Sequence, residues 1–120
     1  MNVLIVQEQV ELACLWAGVL TRRGVKTTVV SSEDEAIVWL EMNTPRVVIL
    51  SLELSAGSAF AVADFVGFRH PDAKIIPVTA SSFFSDGSVF AHIPNTCTTL
   101  GPKTPPEDLA HIVEHYGGST

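Results

Sequence analysis

Short unbroken apolar runs alternate along the chain with longer stretches in which apolar residues recur every three to four positions. That alternation predicts an α/β domain, a parallel sheet covered by helices on both faces, with the strand–helix unit repeated five times. Residues 3–6 (Val3-Leu4-Ile5-Val6) and 47–50 (Val47-Val48-Ile49-Leu50) are apolar throughout, as central strands buried on both faces must be. Residues 25–30 alternate instead, with Lys26 and Thr28 on one side, which predicts an edge strand with one partly wet face.

The helices carry their own start and stop signals. The first is predicted over about 10–23, with Glu8 and Glu11 near its positive end, Arg22 and Arg23 in its last turn and Gly24 as a left-handed cap. Leu12, Leu15, Trp16, Val19 and Leu20 form its expected buried stripe. Ser32 and Glu35 make a capping box for the second helix, which packs Ile37, Trp39 and Leu40 and stops before Pro45. A third spans about 58–69, apolar on more than one side through Phe60, Val62, Phe65, Val66 and Phe68. A fourth is expected around 82–92, broken by Asp86-Gly87. The last opens with Thr104 as cap and Pro105 in the first turn, faces Leu109, Ile112, Val113 and Tyr116 inward, and ends at Gly117-Gly118.

Composition narrows the partners. The chain has 120 residues, 47% of them hydrophobic, which suffices for one core and hence one domain over 1–120. Seven basic against thirteen acidic residues leave a net charge of −6, so no nucleic-acid partner is expected, phosphate binding requiring a basic stripe. A mean hydropathy of +0.33 excludes disorder. No apolar run approaches the roughly 20 residues of a membrane span, and the chain enters its first strand without a basic leader, so no membrane partner and a cytoplasmic location are expected. Cys14 and Cys97 lack metal-ligand spacing and are expected as small buried hydrophobes.

Three segments in register resemble a known family. Val47-Val48-Ile49-Leu50-Ser51-Leu52-Glu53-Leu54-Ser55-Ala56-Gly57-Ser58-Ala59-Phe60 is similar to the strand-three segment V-V-I-L-D-L-x-L-P-D-G-S-G-F of the receiver domains of bacterial two-component response regulators. His70-Pro71-Asp72-Ala73-Lys74-Ile75-Ile76-Pro77-Val78-Thr79-Ala80 follows at that family's distance, and Pro106-Glu107-Asp108-Leu109 resembles its last helix start, P-E-E-L. The resemblance implies a flavodoxin-like, five-stranded parallel sheet of order 2-1-3-4-5 with its site at the carboxyl ends of the strands. In that family an Asp ending strand three attacks a phosphoryl group, and two acids after strand one help hold Mg²⁺. A Thr or Ser after strand four and a Lys after strand five contact the phosphoryl oxygens.

At those positions this sequence departs from the family. The phosphoacceptor position is Ser51, and the acidic pair reads Gln7-Glu8. The Lys-Pro pair is reversed to Pro102-Lys103, one residue out of register, and the switch aromatic is Thr99. Thr79, followed by Ala80, keeps its identity. With one carboxylate in place of three, no cofactor and weak or absent Mg²⁺ binding are expected. The chain is thus expected to be a degenerate, non-enzymatic receiver domain that acts through protein–protein contact. The alternatives are a relaxed site that still accepts phosphate, on Ser51 or Glu53, and a small-ligand binder using the vacated pocket.

Other constellations point to less. Glu107, His111 and His115 recur every fourth residue on the last helix but suggest no fourth metal ligand. No Gly-x-Ser-x-Gly elbow surrounds Ser51, and Gln7-Glu8-Gln9 is a glycine-free loop unsuited to a nucleotide phosphate. Phe83, Phe84, Val89, Phe90 and Ile93 crowd the segment after strand four. In the resembling family this segment belongs to the helix 4, strand 5, helix 5 partner face, so a protein partner or homodimer is expected there. Pro77 cannot donate to a ladder, so its nitrogen should face a short, weakly paired fifth strand over 97–100 and a mobile helix-four edge.

Overall fold

The computed structural model describes residues 2–55, 57–79, 100–101 and 103–117. In chain order these form β1 (Asn2–Val6), α1 (Val10–Arg22), β2 (Lys26–Val30), α2 (Glu33–Met42), β3 (Val47–Ser51), α3 (Ala59–Arg69), β4 (Lys74–Val78) and α4 (Pro106–Gly117). The strands make one parallel sheet of order β2-β1-β3-β4. Four strands and four helices are therefore present among the described residues where five of each were expected. The expected helix over 82–92 and most of the expected fifth strand lie outside the described residues. Leu100 supplies an isolated parallel bridge to Val78 on the outer side of β4.

β1 and β3 lie side by side at the centre, and Val3–Val6 and Val47–Leu50 are all fully buried. Their alternating side chains feed two cores. Leu4, Val6, Val48 and Leu50 meet α2 and α3 through Ala36, Leu40, Val62 and Val66. Val3, Ile5, Val47 and Ile49 meet α1 and α4 through Trp16, Leu20, Leu109 and Val113. The edge character read from residues 25–30 is observed: β2 pairs only with β1 among the described strands.

Helix ends follow local chemistry. Gly24 takes the left-handed conformation after α1, with φ at 82°. The Ser32 hydroxyl accepts the Glu35 N–H at 3.2 Å, while the Glu35 carboxylate reaches back to Ser31, accepting its N–H at 2.8 Å and its hydroxyl at 2.9 Å. Those two bonds, the backbone one foremost, hold the Glu35 carboxyl below its ordinary pKa. The last helix starts one residue later than expected. The Pro105 carbonyl accepts the Leu109 N–H at 3.1 Å, so Pro105 and not Thr104 occupies the cap position.

Two residues expected to be buried on α1 are exposed, Cys14 and Leu15. The buried stripe runs through Ala13, Trp16 and Leu20, and at roughly 100° per residue Cys14 and Leu15 turn away from it. Cys97 lies outside the described residues. Phe68 on α3 is likewise exposed, while Val62 and Val66 hold that helix to the sheet.

Pro77 fits the sheet as its sequence requires. Val78 points its carbonyl towards β3, accepting the Leu52 N–H at 3.0 Å, whereas the Pro77 carbonyl accepts the Leu100 N–H at 2.9 Å on the opposite side. Backbone groups alternate in direction along a strand, so the proline nitrogen faces away from β3 and removes no bond from that ladder. The weak strand pairing and mobile edge expected beyond it fall on residues outside those described.

Adjacent α1 positions should respond in opposite ways to truncation. Trp16→Ala empties a buried site and should lower unfolding free energy by about 3–5 kcal/mol. Leu15→Ala should stay within about 0.5 kcal/mol of the parent. Urea denaturation followed by circular dichroism checks both.

Candidate functional site at the carboxyl ends of the strands

Parallel pairing carries the ends of β1, β3 and β4 to one edge of the sheet, where open α/β folds gather their functional groups. Ser51 closes β3 with only 3% of its surface exposed. Gln7 follows β1, buried, and its Oε1 accepts the Gln9 N–H at 3.0 Å in the turn leading into α1. Thr79 follows β4, its N–H donating to the Leu100 carbonyl at 3.0 Å. The fold thus brings Gln7, Glu8, Ser51 and Thr79 to the same edge.

The carboxylates around this edge are engaged within the protein. Glu8 accepts both the backbone N–H and, at 2.8 Å, the hydroxyl of Ser55. These bonds, the backbone one foremost, hold its carboxyl below the ordinary glutamate range. Glu53, two residues past Ser51, accepts the Thr79 hydroxyl at 2.6 Å, and its own N–H approaches the Ser51 hydroxyl at 3.4 Å. Glu33, at the start of α2, accepts the Ser58 N–H at 2.8 Å. Glu8 and Glu33 therefore clamp the loop between β3 and α3 from two other elements, and the Ser58 hydroxyl caps α3 by accepting the Ala61 N–H at 3.3 Å.

Gly57 is required by this clamp. Its φ of 94° is left-handed, and a Cβ there would stand 2.5 Å from the Glu33 Cβ and 2.7 Å from Oε1. Sequence spacing pointed to none of Glu33, Ser55 or the Glu53–Thr79 pair. The available signal was topological: the acidic first turn of the second helix and the loop after strand three fall on the same edge of a parallel sheet.

Lys103 lies exposed in the turn before α4 and forms no ion pair among the described residues. Ala80, Thr99 and Pro102 fall outside the described residues, as do Phe83, Phe84 and Phe90 of the expected interface. Glu107 on α4 pairs with Arg23 at 3.1 Å, and Glu114 joins the same guanidinium at 2.7 Å. Both bonds, that to Glu107 foremost, push the Arg23 pKa up. His115 packs edge-on against Tyr116, and no cluster of three metal-ligating side chains occurs among the described residues. No described helix is long and apolar enough to cross a membrane.

The fold is that of response-regulator receiver domains. A CheY-like receiver domain protein from Methanospirillum hungatei superimposes with a TM-score of 0.85 at 17% identity, covering 95% of this chain and 90% of its own. The response regulator TrrA of Thermotoga maritima, solved in complex with Mg²⁺ and BeF, gives 0.82 at 21% identity, covering 96% and 97%. A Francisella response regulator receiver domain gives 0.83 at 14% identity, covering 96% and 94%. No protein-family model matches the sequence, and no curated protein matches it.

Two measurements probe the clamp. Gly57→Ala forces both a strained backbone and a clash with Glu33, and should lower stability by about 1–3 kcal/mol in thermal or urea unfolding. Glu8 has a lowered folded pKa, so its stabilisation is complete above the unfolded value of about 4.3 and is lost as pH falls through the folded value. The parent should accordingly melt above Glu8→Gln at pH 7, and the two melting temperatures should converge as pH falls through the lowered Glu8 value.

Proposed function

We propose that this chain is a receiver-like signalling domain that does not accept a phosphoryl group and acts through protein–protein contact, within the cytoplasm, in a two-component type of pathway. One observation carries the reading. Where the chemistry needs a carboxylate nucleophile, β3 ends in the neutral, buried hydroxyl of Ser51, and the neighbouring carboxylates are already hydrogen-bonded, Glu8 to Ser55 and Glu53 to Thr79. A serine hydroxyl cannot form the acyl phosphate on which an aspartate-based relay depends.

The donor set does not suit Mg²⁺. This cation takes carboxylates and waters in octahedral geometry. Here Gln7 contributes a neutral amide turned to Gln9, Ser51 a neutral hydroxyl, and Glu8 a carboxylate with both oxygens on Ser55. Thr79, the hydroxyl that would meet a phosphoryl oxygen in the resembling family, donates instead to the Glu53 carboxylate. An anion belonging to the chain itself therefore occupies that donor, which favours one fixed conformation over a phosphorylation-driven pair of states. The surface offered to a protein partner is the one expected from the resemblance, the helix 4, strand 5, helix 5 face, of which the last helix, α4 in this structure, is described.

Incubation with acetyl phosphate and Mg²⁺, read by intact mass, is the direct test. No phosphoryl adduct should appear on the parent or on Ser51→Asp, which restores the nucleophile without the second acid or an in-register lysine. Millimolar Mg²⁺ should leave the melting temperature of the parent unchanged. An adduct on either protein, or a saturable Mg²⁺-dependent shift, would overturn the reading.

A further inference from the structure

The outer side of β2 is open among the described residues, and the surfaces beside it are apolar. On α1, Val10 is 71% exposed and lies one turn from the exposed Cys14. On α2, Val38 and Met42 are 58% and 80% exposed, also one turn apart. Val29, itself exposed, lines a groove of about 490 Å³ with Val38, Met42 and Asp34. An open edge with apolar flanks on both faces of the sheet invites another strand.

We propose that this edge pairs with a second copy of the chain, β2 against β2 in antiparallel register about a two-fold axis at Thr28. This goes beyond the signalling role argued above and uses the opposite side of the sheet from β4.

The register follows from which backbone groups are free. The Val30 carbonyl accepts the Gln7 N–H, so Val30 faces β1. By alternation Thr28 and Lys26 also face β1, while Thr27 and Val29 point their N–H and C=O groups outward. The outer row ends on both sides, because the Val25 N–H is bonded to the Leu20 carbonyl and the Ser31 N–H to Glu35. Thr27 and Val29 are thus the outward residues whose donors and acceptors are both available. Only the register that sets Thr27 opposite the partner's Val29, with Thr28 on the axis, gives all of these groups a partner at once.

Charge complementarity supports the same register. Lys26 is exposed and unpaired among the described residues. It shares the α2 face of the sheet with Val30, and the pairing sets it opposite the partner's Val30, beside the first turn of the partner's α2, where the exposed Asp34 lines the groove. A two-fold axis makes this Lys26–Asp34 contact twice, and it brings the Val38–Met42 stripes together on one face and the Val10–Cys14 stripes on the other. Such an isologous interface closes on itself and produces a dimer without open-ended growth.

Light scattering coupled to size exclusion should find a dimer at high protein concentration. The Lys26→Glu and Asp34→Lys variants should each raise the dimer dissociation constant about tenfold, and the double variant should return it to within about threefold of the parent. Across the axis, Thr28 residues would form a non-hydrogen-bonded pair with Cα atoms about 4.5 Å apart, within disulfide reach. Thr28→Cys in a Cys14→Ser, Cys97→Ser background should therefore form a covalent dimer on mild oxidation, whereas the Cys14→Ser, Cys97→Ser parent should not. A monomer at every concentration, failure of the double variant to recover, or no cross-link at position 28 would overturn the proposal. The phosphodonor test reads neither quantity, so the two readings stand or fall separately.

Discussion

Everything in this domain hangs on the pairing of two strands that have no polar side. β1 and β3 are apolar on both faces, so each must be covered above and below, and parallel pairing obliges the chain to return over the sheet between strands. The helices are those returns. Trp16, Leu20, Leu109 and Val113 close one face and Ala36, Leu40, Val62 and Val66 the other. With no polar side chain tolerated along the central strands, chemistry is confined to their ends.

At the carboxyl end, that confinement gathers acids that hold loops in place. Glu8, Glu33 and Glu53 each accept a hydrogen bond from another element, and the Ser51 hydroxyl is buried at the end of β3. Charge-assisted bonds to backbone and hydroxyl donors are among the stronger polar contacts a surface loop can make. The site therefore resembles a staple more than a binding pocket. The fold's geometry persists in its neighbours at 14–21% identity, as it can when packing pattern and loop lengths alone set it.

Much of this was legible in the sequence because it is local. Apolar runs marked β1 and β3, Ser32 and Glu35 marked the start of α2, and Gly24 marked the end of α1. Pro77 constrained its own direction in the sheet through the one donor it lacks. What escaped were contacts between residues far apart in sequence that topology makes neighbours, such as Glu33 with Ser58 and Glu53 with Thr79. Cys14 was misplaced because its burial was read from residue type alone, and Leu15 because a stripe read from periodicity has soft borders, and which flank is covered depends on where the sheet ends. Beside β2 it ends early.

The attachment of α4 has a mechanical corollary. Leu109, Ala110 and Val113 sit in the same core as Trp16, Ile5 and Ile49, and Glu107 and Glu114 both grip Arg23 at the end of α1. The helix is thus anchored to α1 by this ion pair as well as to the strands beneath it, among them Ile76 and Val78 of β4. A proteolytic nick between residues 79 and 100 would sever the covalent connection yet leave the two fragments sharing one core, so they should remain associated as a noncovalent pair.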